Sequence, residues 1–267
     1  MARAFKTLST RESKNRNFCL SEKCKGIALY LVLLMSIVGT SNTTFGQTDE
    51  TNNEWVEVES PRLISENYKI RREKIGWLWG IANENYFPDT YTSLLDEQDY
   101  LDVYGDTDIA LTSILGAVKY NTDGVSFYVG GSYGRGFLRS TISGSIRTIS
   151  IGKKKIFGGI ILDGITKEPF VAPYAELGYW TADLDEGDET TGLSNAGESG
   201  FGFEYRAGLN FQLNWLDQAS ASDGLIQSGL QNTFVNVFIS MQTKTDTNTD
   251  PDLSSDPALG VGLTLEF

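Results

Sequence analysis

The sequence predicts an all-β protein, with a transmembrane antiparallel up-and-down β-barrel of about eight strands as its leading form. Three observations lead to this prediction: long segments of alternating apolar and polar residues, a composition rich in glycine and aromatic residues, and an amino-terminus typical of export. Of the 267 residues, 28 are glycine and 12% are aromatic. This composition suits a chain of strands better than a bundle of apolar helices.

Charge and the lack of one residue type exclude several classes of function. The chain holds 35 acidic and 22 basic residues, a net charge of −13, so a nucleic acid finds no basic surface to bind. The sequence contains no histidine, which removes Ser-His and Cys-His nucleophiles, histidine general bases and His-ligated zinc. We therefore expect no enzymatic activity, no cofactor and no nucleic-acid partner.

The first 46 residues have the pattern of a secretory signal peptide. A basic segment ends at Lys25, and the apolar run 27–38 comes directly after it. This run is shorter than the roughly 20 residues that a spanning helix needs. Small residues at Thr44 and Gly46 place the cleavage after Gly46, and an uncleaved anchor or a later start is the alternative.

The chain beyond the signal is strongly acidic and divides into two parts. Residues 1–46 hold seven basic and two acidic residues, so the remainder has 15 basic and 33 acidic residues, a net charge of −18. Residues 47–74 are polar with a weak pattern, and we expect a flexible periplasmic segment there. The barrel itself is predicted over residues 75–267.

The clearest strand pattern covers residues 200–215. Every odd residue from Phe201 to Trp215 is apolar, and every even residue is glycine or polar. This alternation is longer than a usual soluble strand and matches a tilted strand that crosses a bilayer. Seven other segments alternate less purely: 75–86, 107–120, 125–133, 138–150, 171–182, 231–243 and 257–267. Of these, 107–120 is apolar on both faces.

Eight strands place the segments 88–106, 183–199 and 244–256 outside the cell and the last residue, Phe267, on the periplasmic side. One segment leaves this count open. The apolar run 156–162 fits a ninth strand, a replacement for the strand 138–150, or a connection at the membrane surface. A barrel of ten strands is therefore the second choice.

The same alternation also fits a soluble β-barrel with its apolar face inward. In that alternative, a secreted or periplasmic protein binds an apolar ligand with Leu209, Phe211 and Leu213. The polar face of the strands favours the membrane form, because glycine, amide and charged residues recur on it, as in a narrow lumen.

The signal segment, the alternating strands and the terminal run 259–267 resemble bacterial outer-membrane β-barrel proteins, most closely small porin-like barrels of the OmpA/OmpX type. The resemblance covers about residues 75–267 at the level of architecture. It implies export to the periplasm, a final location in the cell outer membrane and outer-membrane lipid as the surroundings. It also implies that the barrel-assembly machinery reads the C-terminal strand through Leu263, Leu265 and Phe267.

Seven charged residues are predicted to face the lumen as an ion-pair network: Glu84, Arg139, Arg147, Glu176, Glu204, Arg206 and Glu266. Side chains fill the interior of so small a barrel, so opposite charges there must pair. The expected role is structural, and the alternative is that the network lines or gates a narrow conduit. Together these features predict a non-enzymatic barrel with a structural, surface-interaction or narrow-pore role.

Two further charge patterns lie at predicted strand ends. The acidic segments 88–108 and 183–199 offer oxygen ligands for divalent cations, with Asp183, Asp185 and Asp188 as weak candidates. Their spacing is not that of a known calcium loop, so a solvated surface loop is the preferred interpretation. The basic clusters 69–74 and 153–155 are predicted either to touch anionic lipid head groups or only to mark strand ends.

Overall fold

A computed structural model describes residues 67–142, 144–245 and 251–267. The predicted signal peptide, residues 1–46, and residues 47–66 of the predicted periplasmic segment lie outside this range. Among the described residues, no helix is long and apolar enough to cross a membrane. The elements occur along the chain in this order: α1 (Tyr68–Arg71), β1 (Ile75–Tyr86), α2 (Tyr100–Tyr104), β2 (Ile109–Asn121), β3 (Ser126–Ile142), β4 (Ser145–Ile161), β5 (Val171–Asp188), β6 (Leu193–Glu198), β7 (Gly202–Gln212), α3 (Gln218–Ser228), β8 (Asn232–Gln242) and β9 (Ser255–Glu266).

Eight antiparallel strands close into a barrel. The strands β1 to β5 pair in sequence, β5 pairs with β7, and the pairing continues through β8 and β9 back to β1. The first and last wall strands, β1 and β9, close the barrel. Where they meet, Trp77 N donates to Phe267 O at 2.7 Å and Phe267 N donates to Trp77 O at 2.8 Å. The predicted fold class and the preferred count of eight strands are confirmed.

The short strand β6 extends β7 and is not a ninth wall strand. The strand β6 pairs only with the C-terminal part of β5, from Asp183 to Asp188, whereas β7 pairs with the preceding part, from Val171 to Trp180. Between them, Ser199 N donates to Ala182 O at 2.8 Å. The strands β6 and β7 therefore act as one interrupted strand along β5.

A tight turn around Gly144 corrects the prediction for residues 138–150. Gly144 has φ of 83°, a conformation that glycine adopts without strain. This turn divides the predicted strand between the end of β3 and the start of β4, and β4 then runs on to Ile161. Most of the apolar run 156–162, whose role the sequence left open, therefore belongs to β4 and does not form a ninth strand. The segment 183–199, predicted as a loop, is mostly the end of β5 and the strand β6.

The barrel has two different ends. We call the end where β1 begins and β9 finishes the terminal end, and the opposite end the loop end. At the loop end β4 and β5 pair as far as Arg147 and Asp188, but β1 and β2 stop at Tyr86 and Ile109. Four strands, β3 to β6, therefore project past the others, and the segment 87–108 packs its aromatic side chains against their inner face.

The outer face of the barrel carries an apolar belt. Exposed apolar side chains occur on seven of the eight wall strands, among them Trp79, Ile114, Val129, Ile156, Leu177, Tyr205 and Ile239, and β9 contributes the half-buried Leu263. The soluble alternative is wrong, because Leu209 and Phe211 face outward, with 40% and 37% of their surface exposed. An outer face of apolar side chains, with buried charged residues on the inner face, is the arrangement of a barrel surrounded by lipid.

Candidate functional site

Six charged side chains meet in the middle of the lumen, and we call them the central cluster. Three are acids and three are bases, contributed by β1, β4, β5 and β7: Glu84, Lys153, Lys155, Glu176, Glu204 and Arg206. None is more than 8% exposed. Their formal charges cancel, as the desolvation cost of charges in a narrow interior requires.

The two lysines of β4 link the three carboxylates. Lys155 Nζ lies 2.6 Å from Glu176 Oε1 and 2.7 Å from Glu204 Oε1. Lys153 Nζ lies 2.9 Å from the other oxygen of Glu204 and also contacts Glu84. Both lysines point inward because they are two residues apart on one strand, and successive side chains of a strand alternate between its faces.

Arg206 completes the central cluster from β7. Its Nη2 lies 3.1 Å from Glu84 Oε2 and 3.1 Å from Glu204 Oε1. The ring of Phe238 lies 4.2 Å from the guanidinium carbon, and Ser240 Oγ donates to Glu84 Oε2 at 2.9 Å. Every carboxylate of the cluster is thus bound to at least one cation.

A second charge-balanced group, the terminal cluster, closes the terminal end of the barrel. Lys119 Nζ lies 2.5 Å from Asp163 Oδ2 and 2.5 Å from Glu266 Oε1. Arg72 Nη1 contacts Asp163 Oδ1 at 3.0 Å, and the Tyr68 hydroxyl donates to Glu266 at 2.8 Å. Helix α1 and Arg72 after it therefore contact the barrel, and the expected flexibility of segment 47–74 stays a prediction.

A third group, the loop cluster, fixes segment 87–108 at the loop end. Glu186 of β5 accepts hydrogen bonds from the Tyr91 and Tyr104 hydroxyls, both at 2.8 Å, and from Leu94 N at 2.7 Å. Arg147 Nη2 lies 3.2 Å from Glu186 Oε1. Burial, and after it the charge of Glu186, raises the pKa of Tyr91 and of Tyr104 well above the usual 10.

Apolar layers separate the three clusters and fill the lumen. Between the terminal and central clusters lie Leu78, Ala117, Tyr128, Phe157, Ile161 and Ala172. Between the central and loop clusters lie Tyr86, Ile109, Leu111, Ile149, Ile151 and Trp180. The cavity beside the first layer has a volume of only about 40 Å³, room for a few water molecules. Along its described length the lumen is thus packed.

The structure distributes the seven predicted lumen residues over different places. Glu84, Glu176, Glu204 and Arg206 come together in the central cluster, Glu266 lies in the terminal cluster, and Arg147 lies in the loop cluster. For the seventh, Arg139, the inward prediction is wrong. Its side chain is 55% exposed and pairs with Glu189 on the outside. The turn at Gly144 is the reason, because Arg139 and Arg147 lie on different strands and opposite faces.

Sequence reasoning missed Lys119, Lys153 and Lys155. The charge pattern places the two β4 lysines at a strand end, whereas they are buried in the wall, and only Lys154 between them faces outward, paired with Asp183. Lys119 lies on β2, whose two apolar faces hid its register. The charge balance of the predicted lumen residues could have indicated these missing lysines. With Arg139 removed, the predicted set has four acids and two bases, so buried cations were still required.

The three candidate metal ligands are not brought together. Asp183 and Asp185 are on the outer face of β5, and Asp188 is on the inner face. Asp188 Oδ1 accepts hydrogen bonds from Thr190 N and Thr191 N, at 2.8 Å and 3.2 Å. Within the described ranges, no group of three or more histidine, cysteine or acidic residues is arranged to hold a metal ion.

We expect Lys155→Met to lower the free energy of unfolding by about 3–5 kcal/mol, because Glu176 and Glu204 lose their shared cation while remaining buried. The measurement is urea unfolding of the barrel in lipid vesicles, monitored by its gel mobility without boiling. Adding Glu204→Gln to this variant is expected to restore part of the loss.

Lys154→Met is the matched control for that variant. It removes the same charge from the neighbouring residue, but Lys154 is exposed and its ion pair with Asp183 is screened by water. Equal losses in Lys154→Met and Lys155→Met would contradict the importance of the central cluster.

We expect the stability of the loop end to fall as the pH rises above 10. The folded state keeps the Tyr91 and Tyr104 hydroxyls protonated, whereas the unfolded chain releases their protons near the usual pKa of 10. The unfolded state then binds fewer protons, so the free energy of unfolding decreases with pH. The measurement is the unfolding midpoint at pH 9 and at pH 11, in the protein and in Tyr91→Phe/Tyr104→Phe. A dependence as steep in the double variant as in the protein would refute this assignment.

No family model and no curated protein sequence matches this chain. Among solved structures, the chain is similar to Ail, the attachment invasion locus protein of Yersinia pestis, with 14% identity and a TM-score of 0.42 over 73% of this chain and 100% of that one. It is also similar to Neisserial surface protein A, with 15% identity and a TM-score of 0.38 over 73% of this chain and 98% of that one. A third is the N-terminal β-barrel domain of Pseudomonas aeruginosa OprF, with 11% identity and a TM-score of 0.33 over 73% of this chain and 98% of that one.

Independently of these likenesses, the closed strand pairing and the apolar outer belt make this chain an outer-membrane β-barrel.

Proposed function

We propose that this protein is a non-enzymatic outer-membrane barrel with a closed lumen, whose contacts with its surroundings are made at the loop end. The observation that carries the proposal is the packed lumen, in which three ion-paired clusters, two of them charge-balanced, alternate with apolar layers. A solute path along the axis would require breaking buried ion pairs at three levels. The narrow-pore role is therefore disfavoured against a structural or surface-interaction role.

The orientation of the barrel is inferred from its connections. Outer-membrane barrels have longer connections outside the cell than in the periplasm. Segment 87–108 and the projecting strands β3 to β6 support a loop end outside the cell, and the short turn between Asn121 and Ser126 supports a terminal end in the periplasm. The 19-residue connection 213–231, which contains α3, departs from this rule.

The loop end supports a surface-interaction role through its rigidity and its charge. Glu186 and Arg147 hold segment 87–108 in one position, so its surface is formed before any partner arrives. Exposed carboxylates at Asp185 and Glu198 face outward on the projecting sheet, and Glu189 in the adjoining turn pairs with Arg139. The chemistry of this surface favours a partner with basic groups.

The surface role is tested with whole cells that carry the protein. The probe is a cationic peptide of lysine and glycine, and the variant is Asp185→Asn/Glu198→Gln. We infer that this variant binds less peptide than the protein does. The control Asp217→Asn removes an exposed carboxylate at the terminal end and leaves binding unchanged. If the two variants bind alike, the structural role alone remains.

We expect no stepwise conductance when the purified protein is inserted into planar bilayers, because the lumen is packed and its ion pairs are buried. Heat modifiability of the same preparation on gels shows that the inserted protein is folded. Ohmic steps from the folded protein would contradict the closed lumen and favour the narrow-pore role.

The assembly signal predicted at Leu263, Leu265 and Phe267 is part of the proposal. The backbone of Phe267 pairs with Trp77, so the last residue forms part of the closing seam. We expect Phe267→Ala to reduce the amount of protein that reaches the outer membrane, since the aromatic group is lost and the backbone pairing is kept. Tyr120→Ala, which removes an exposed aromatic of β2, is the control. Equal membrane yields of the two variants, measured by fractionation, would remove the assembly role.

A further inference from the structure

A pocket of about 140 Å³ opens at the terminal end, outside the lumen. It lies between α1, the connection from β4 to β5, the end of β7, and α3. Its polar wall includes Arg71, Glu168, Gln212, Ser222 and Gln231, and its apolar wall includes Phe170, Trp215 and Leu225. The long connection that contains α3 forms much of this pocket, and neither the barrel closure nor the three clusters need it.

Several polar atoms in the pocket wall have no hydrogen-bond partner. Gln212 and Ser222 are only 2% and 6% exposed, yet Gln212 Oε1 and Ser222 Oγ make no hydrogen bond. Arg71 Nε and Gln231 Oε1 are likewise buried and unpaired. A buried polar atom without a partner costs about 1–3 kcal/mol, so a cluster of them around one empty space indicates a molecule that completes their bonds.

The unpaired atoms define the chemistry of that molecule. The Arg71 guanidinium attracts a carboxylate, and the Ser222 hydroxyl is able to donate to it. The two unpaired amide oxygens accept from an N–H group or an ammonium, and the Glu168 carboxylate, which already accepts from Tyr68 N and Gln212 Nε2, adds a negative charge beside them. Since Arg71 and Glu168 balance one another, the matching ligand has both charges and no net charge.

The apolar wall distinguishes such a ligand from water. The volume holds about ten water-sized positions, but water molecules against Phe170, Trp215 and Leu225 lack partners on that side. A ligand with an apolar side chain covers this wall and places its charged groups on the opposite one.

We propose that this pocket binds a small zwitterion with an apolar side chain, of the α-amino acid class. Its carboxylate contacts Arg71 and Ser222, and its ammonium contacts Gln212, Gln231 and Glu168. This binding site goes beyond the proposed surface role and does not depend on it, because it lies at the opposite end of the barrel.

The test is isothermal titration calorimetry on the full folded protein in detergent. The probes are L-leucine, L-methionine and L-phenylalanine, together with L-leucinamide, which lacks the carboxylate, and N-acetyl-L-leucine, which lacks the ammonium. We expect at least one free amino acid to bind, and both modified leucines to bind more weakly than leucine by about tenfold or more. If no free amino acid binds at millimolar concentration, or if all the leucine probes bind alike, the pocket holds water only and the proposal is overturned.

Variants locate the bound groups. Arg71→Gln is expected to weaken leucine binding by about tenfold and to abolish the difference between leucine and leucinamide. Lys69→Gln removes the same charge from an exposed position of α1 and leaves binding unchanged. Ser222→Ala weakens binding, whereas Ser228→Ala, at the exposed end of α3, does not. Because folding is checked by gel mobility, a misfolded variant is recognised, and a folded Arg71→Gln that keeps full affinity refutes the site.

Discussion

The structure depends on the pairing of charges inside a narrow lumen that is filled by side chains. Eight strands enclose a lumen that side chains fill, so each buried carboxylate needs a cation within reach. Lys155 meets this need for two carboxylates at once, with its nitrogen 2.6 Å from Glu176 and 2.7 Å from Glu204. The two lysines of β4 pair with acids of β1, β5 and β7, so these ion pairs hold the wall together across the lumen, as the backbone hydrogen bonds hold it along its circumference.

This constraint also explains which functions the barrel leaves available. The buried charges lie at three levels of the lumen, and an apolar layer separates each level from the next. Chemistry that needs a free carboxylate or a water path is therefore confined to the surfaces at either end. The loop end offers a rigid acidic face, and the terminal end offers a pocket with unpaired polar atoms.

The strand pattern could be predicted where one face of the sheet differs clearly from the other. In β7 every inward residue is glycine or polar, so both its strand character and its orientation can be read from the alternation. Prediction failed at Gly144, because a two-residue turn leaves no break in an alternating pattern and yet reverses the face on which the next side chains lie. It failed again in β4, where Ile149 and Ile151 point inward beside Lys153. Ile149 and Ile151 face inward because they pack against segment 87–108, and the local sequence of β4 contains no information about a segment so distant in the chain.

The contact between Tyr68 and Glu266 joins the two extremes of the described chain, 198 residues apart. Lys119 shares this contact, and its pair of carboxylates is complete only when both the β4–β5 connection and the last strand are in place. A partly built barrel consequently keeps a cation facing an incomplete seam, which favours completion in a single cooperative step. The entropy of bringing such remote segments together makes that step slow. Helix α1 thus acts as a latch that also contacts Asp163 but closes fully only when the final strand brings Glu266 to Tyr68.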